Sequence, residues 1–227
     1  MSTLKELTWA NHQRAERTTH ARKLLNGMSA KEYHRYLSNQ HAIYQALENQ
    51  ATVCNVLVGI EHVARAQRIF ADISEIETEY DIKPNSISLC SVVAEYIDYV
   101  MQMQDKNRLL AHIYVRHFGD MYGGQMIRKR NPGSGTMYDF DNLEVLKSTI
   151  RNMLSDEMAP EANICFEFAM TLFKELEINE SVLDTDNGII AIALQLYVDQ
   201  IEKDQGCNVL YNRALKLYYI YRDKTNE

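Results

Sequence analysis

Apolar residues recur at intervals of three and four along most of the chain, the spacing that gives a helix one buried face, and no stretch alternates strictly enough to compete as a strand. In "NVLYNRALKLYYIYRD", for example, Leu210, Ala214, Leu217 and Tyr221 fall on one stripe, which suits packing against a bundle or a second copy of the chain. The pattern predicts helices near 3–26, 29–55, 59–73, 88–106, 107–130, 142–155, 159–177, 187–203 and 207–223. The segments "EYDIKPNS" and "RNPGSGTMYDFDN" interrupt it, with Pro, Gly, Asn and Ser at turn positions, and neither is long enough to separate domains. The expected architecture is all-α: an irregular single-domain helical bundle in which successive helices pack as antiparallel neighbours.

Composition narrows the picture without changing it. Three prolines and nine glycines in 227 residues are too few for a many-stranded sandwich or barrel. A net charge of -7 argues against nucleic acid as a partner, which would require a strongly basic face. The start, "MSTLKELTWANHQRAE", carries charges where a signal peptide needs an apolar core, and the longest apolar run, "GIIAIAL", is too short to span a bilayer. No membrane partner and a cytoplasmic location are therefore expected. Cys54, Cys90, Cys165 and Cys207 are scattered without a C-x-x-C pair, which suits buried thiols in a reducing compartment.

Two segments carry candidate chemistry. "FGDMYGGQ" puts Gly119, Gly123 and Gly124 inside a predicted helix, although each glycine costs a helix interior about 1 kcal/mol relative to alanine. Gly119 and Gly123 are four apart and so expose a strip of bare backbone to which something flat could lie close. A tight helix crossing, or a helix end at Gly123 and Gly124, would use the same glycines, although "QMIRKR" resumes as good helix former. Asp120 stands within this run with Arg116 four residues earlier, a spacing that permits an ion pair. Beside an open strip its carboxylate could instead hold a water, with Arg116, Tyr44 and Tyr114 in the same hydrogen-bonded network.

In the first helix His12 lies at the margin of the apolar stripe, with Glu16 at i+4. A carboxylate there can hold one imidazole nitrogen while the other ligates a metal, as for an axial haem ligand. Lys5 lies two turns earlier on the same side, roughly 10 Å away by helix rise, within reach of a propionate. A helix histidine beside a glutamate is also an ordinary surface pair, and His20 is a rival ligand whose surroundings, "RTTHARK", read as a solvated face. His34, His41, His62, His112 and His117 show no metal-binding spacing and read as structural or surface residues.

Taken together, "HQRAERTTHARKLLNG" resembles the proximal helix of the haem oxygenases and "AHIYVRHFGDMYGGQMIRK" their distal helix, with the latter the more specific motif. "HAIYQALE" and "MAPEANICFEFAMTLFKELE" are also similar, so the resemblance covers residues 3–178 and leaves a tail, 183–227, unmatched. It is nearest to the soluble enzymes of cyanobacteria, algae and cyanophages. The resemblance implies a bundle with haem b, both substrate and cofactor, sandwiched between a proximal and a distal helix. It implies O2 and reduced ferredoxin as co-substrates, with biliverdin (the IXα isomer), carbon monoxide and ferrous iron as products and a bilin reductase as a possible recipient. On this reading His12 is the axial iron ligand, Glu16 its hydrogen-bond acceptor, and Gly119, Gly123 and Gly124 the backbone facing the macrocycle. Asp120 organises a distal water with Tyr44 and Arg116, while Lys5 and Tyr114 contact propionates. The chain departs from the pattern at Tyr122 (usually small), His117 (usually tyrosine) and Asn163 (a lysine in some members), the last leaving one propionate anchor unassigned.

The run Arg128, Lys129 and Arg130, with Lys106 and Arg108 earlier, forms a basic patch on an acidic protein, suited to docking ferredoxin or simply to complementing a helix end. Rival functions are a haem carrier that does not degrade its cargo, a thiaminase-like hydrolase, which needs a cysteine nucleophile facing the cavity, and a diiron oxidase, which needs a carboxylate-histidine cluster.

Overall fold

The computed structural model describes residues 3–84 and 89–177. Among the described residues there are eight α-helices and no strand, in agreement with the expected class. The helices predicted at 187–203 and 207–223, with the Leu210 stripe and Cys207, lie outside the described residues.

The first predicted helix is two. α1, Leu4–Glu16, starts in a capping box: the Thr3 hydroxyl accepts from the Glu6 N–H, and the Glu6 carboxylate accepts from the Thr3 N–H. α2, Thr19–Asn26, begins anew because Thr18 adopts an extended backbone and its hydroxyl caps the Ala21 N–H. This restart resets the helical phase and turns His20 inward. At Gly27 φ is 101°, and a Cβ would lie 2.7 Å from the Arg130 carbonyl oxygen.

α3, Ala30–Val53, packs against α4, Ala66–Glu79, and α5, Ser91–Met101, and supplies a cap to each. Glu48 accepts the backbone N–H groups of Arg65 and Ala66 at 2.6 and 3.1 Å, where α4 has no side-chain cap of its own. Asn39 accepts the N–H of Cys90 at 2.7 Å, just before α5. The Glu48 cap, and a short 3-10 turn at Glu61–Val63, explain why α4 starts later than the pattern at 59–73 suggests. Glu48 also receives His117 Nε2 at 3.3 Å. Removing so many buried contacts at once is expected to be costly: Glu48→Ala should destabilise the fold by about 2–4 kcal/mol. A fall in the urea midpoint at unchanged m-value would show this, and an unchanged midpoint would refute it.

α6, Lys106–Arg128, is capped by Asp105 and runs unbroken through its glycines. α7, Leu143–Met153, and α8, Ala159–Glu177, follow. α8 packs against both α1 and α6, so one helix positions both segments singled out in the sequence. Asp156 fixes the start of α1 by accepting the Leu4 N–H at 2.6 Å. The core between these elements includes Leu37, Ile43, Leu47, Ile69, Val93, Tyr96, Leu109, Ile113, Met137, Ala162 and Leu172. The described cysteines, Cys54, Cys90 and Cys165, are free and buried. No described helix is long and apolar enough to cross a membrane.

Candidate active site

The three glycines of α6 have two different functions. A Cβ added at Gly119 or Gly123 would meet nothing within 4 Å, so these residues open onto space. At Gly124 a Cβ would lie 2.3 Å from Cδ1 of Tyr138. Gly124 therefore admits the Thr136–Tyr138 turn, which Asp72 holds by accepting the N–H groups of Thr136 and Met137. The helix-end alternative is excluded by the continuity of α6, and the close-crossing alternative applies to Gly124 only. The expectation that all three present bare backbone is corrected at that residue.

Asp120 is buried, and its Oδ2 accepts the Tyr44 hydroxyl at 2.5 Å. Burial pushes its carboxyl up to about 6, against the opposing pull of the Tyr44 hydrogen bond and the His117, Arg65 and Arg116 charges. Burial and the Asp120 charge together hold the Tyr44 phenol well above its ordinary range, so the hydroxyl keeps the proton it donates. Arg116 does not form the ion pair that its spacing suggested. Its Nε donates to the Tyr96 hydroxyl at 3.2 Å, its guanidinium lies 4.4 Å from the Tyr96 ring centroid, and its buried Nη2 has no partner. Tyr114 stacks at an angle on Phe118, 5.3 Å between centroids.

On α1 the His12 side chain is 42% exposed and its Nδ1 lies 3.5 Å from Glu16 Oε2. Nδ1 is buried but has no hydrogen-bond partner, so the expected hydrogen bond to Glu16 is not formed, and the exposed part of the ring lies on its Nε2 side. Trp9 stacks parallel to the ring at 5.4 Å and Phe166 of α8 meets it edge-on at 5.9 Å, holding its plane. Lys5 is exposed, its Nζ 6.0 Å from the Trp9 ring. His20 is not solvated: it is buried, in ring contact with Tyr36 and Phe173, and burial pushes its imidazole down to about 4.

Two cations missed in the sequence adjoin the open strip. Lys147 and Arg151 of α7 converge on Tyr122: Lys147 Nζ donates to Glu144 at 3.0 Å and lies 4.3 Å from the ring centroid, and Arg151 donates to the hydroxyl. Their i, i+4 spacing is visible in the sequence, but nothing local shows that α7 turns it toward α6. Asn163 ties α8 to α1, accepting from Asn11 at 3.0 Å and donating to the Leu7 carbonyl.

A model of the family described as "Heme oxygenase" matches residues 1–218. The chain belongs to the haem oxygenase family. The match runs past residue 178, so most of the tail left unmatched by the motifs is part of the family's extent. Among relatives, a "Heme oxygenase" of Porphyra purpurea is 27% identical, covering 88% of this chain and 92% of its own length. "Heme oxygenase 2" of Rattus norvegicus is 28% identical over 79% of this chain and 66% of its own. The fold is similar to that of heme oxygenase-1 from the cyanobacterium Synechocystis, solved in complex with heme, with a TM-score of 0.65, 22% identity and coverage of 83% of this chain and 96% of that one.

Within this haem oxygenase family member the residues present fit a haem. An open backbone strip, an imidazole with its Nε2 side free, and two cations (Lys5 and Arg151) suit a flat dianionic ring. Among the described residues no group of three or more His, Cys, Asp or Glu could hold a metal ion, so a diiron centre has no ligand set there.

Proposed function

We propose that the protein binds haem b as substrate and cofactor and opens its ring with O2 and electrons from reduced ferredoxin, releasing biliverdin IXα, carbon monoxide and ferrous iron. The observation that carries this reading is the pair of open glycines, Gly119 and Gly123, directly beside the buried carboxylate of Asp120. When bound, haem supplies an iron that takes up dioxygen and a porphyrin edge that is itself oxidised.

The protein's own groups do the rest. His12 Nε2 would hold the iron, with Trp9 and Phe166 fixing the plane of the ring and Glu16 close to Nδ1. Backbone at Gly119 and Gly123 lets the macrocycle lie against α6. Asp120, kept largely ionised at neutral pH and fixed by Tyr44, orients a water on that face without a side-chain acid touching the reacting atoms, so proton delivery is indirect. Arg116, braced on Tyr96, adds a buried positive charge behind it. Lys5 from α1 and Arg151 from α7 would neutralise the propionates, Arg151 filling the role left open by Asn163, and Tyr114 would contact them from α6; Lys147 is buried and paired with Glu144.

The basic residues at the end of α6 suit an acidic electron donor. Lys129 and Arg130 are exposed, whereas Arg128 is engaged by Asp139 and by the Ser134 carbonyl. Lys106 and Arg108 belong to the other end of α6, roughly 30 Å away by helix rise, with Arg108 paired to Glu161, so they form no single patch with Arg128. Incubation with hemin, ferredoxin, its reductase and NADPH in air tests the whole reading. An open-chain tetrapyrrole is expected, with a rate that falls about tenfold between low and physiological salt. Recovery of intact haem would reject the activity, and a salt-independent rate would reject the docking face.

A further inference from the structure

Asp120 and Tyr122 flank the open strip on opposite sides. At 100° per residue, Asp120 points 100° to one side of Gly119, while Tyr122 points 60° to the other and lies 100° from Gly123. The Asp120 side is buried and bonded to Tyr44; the Tyr122 side is 55% exposed. An exposed tyrosine ordinarily samples several rotamers, but three contacts restrain this one. Its ring leans on Phe118 at 6.0 Å, Lys147 Nζ lies over it at 4.3 Å, and Arg151 donates to its hydroxyl. Tyr114, Phe118 and Tyr122 thus form an aromatic ladder along α6, ending in a bulky ring clamped by α7 at the edge of the strip.

We propose that Tyr122 is a specificity-determining residue: a fixed wedge that sets how the macrocycle is turned in its own plane, and thereby which bridge carbon faces the Asp120 side. This rests on the haem oxygenase reading. A disc lying on the backbone at Gly119 and Gly123 meets main chain beneath it, which resists tilting but not rotation. Rotation is resisted at the rim, and on the α7 side Tyr122 supplies a rigid aromatic body. Lys147 and Arg151 hold it in place.

The test compares wild type, Tyr122→Ser and Tyr122→Phe as ferric haem complexes, reading the hyperfine-shifted haem methyl resonances by proton NMR and the isomer composition of extracted biliverdin. Wild type is expected to show one dominant methyl set and one isomer. Tyr122→Ser is expected to raise the share of a second methyl set and of a second isomer roughly five- to tenfold, the scale of one lost aromatic contact. Tyr122→Phe, which keeps the ring and its cation contact, is expected to retain the wild-type pattern. A Tyr122→Ser protein with the wild-type methyl pattern and isomer composition overturns the proposal. Absence of a histidine-ligated haem spectrum in the wild type would instead overturn the underlying reading, and this proposal with it.

Discussion

Asp120→Asn is expected to cut biliverdin formation about 100-fold, leave haem binding intact, and make the haem-free protein more stable at neutral pH. The two effects have one cause. Burial pushes the Asp120 carboxyl up to about 6, so the folded protein binds this proton more tightly than the unfolded chain does. The contribution to stability is then full below about pH 4 and lost as pH rises through about 6. Above that, the buried charge costs on the order of 3 kcal/mol. Asparagine can still accept the Tyr44 hydroxyl but carries no charge, so its advantage in urea denaturation should approach that figure at pH 7 and vanish near pH 4. Wild-type turnover should fall as pH drops through about 6, a step the variant lacks. Undiminished biliverdin production by Asp120→Asn would remove the carboxylate from the chemistry.

His12→Ala is expected to abolish the axial-histidine signature of bound haem and lower turnover by at least about 100-fold. Loss of a ligand's outer partner alone typically costs 10- to 100-fold, so loss of the ligand itself lies at or beyond that range. Added imidazole, filling the space between Trp9 and Phe166, should restore part of the spectrum. His20→Ala distinguishes the two histidines. Its ring is core, so its removal should leave the spectrum unchanged and lower stability by about 2–4 kcal/mol. If the spectroscopic change followed His20 instead, the proximal assignment would be wrong.

Class and most elements were legible because helical periodicity is local, and the glycine run stood out because glycine is unfavourable in a helix unless its backbone is used. What failed depended on residues distant in sequence. Gly119, Gly123 and Gly124 look alike along the chain, and only Tyr138, brought in by Asp72, separates the third from the other two. The i, i+4 relation of Arg116 and Asp120 suggested an ion pair, but both are buried and Arg116 is taken by Tyr96, twenty residues away. His20 read as exposed because its neighbours in "RTTHARK" are polar or charged, whereas the new helix that starts at Thr18 buries it. The cations on α7 belong to the site only because that helix meets Tyr122. Asn163, a gap in the expected charge pattern, is used to join α8 to α1.

The central claim is that one flat ring is held by His12 from α1 and by main chain at Gly119 and Gly123 from α6. A crystal structure of the protein grown with hemin tests it most directly. His12 Nε2 on the iron, with the backbone of those two glycines in contact with the opposite face, is the result predicted. Iron bound by any other residue, or a side chain interposed between that face and α6, would contradict it.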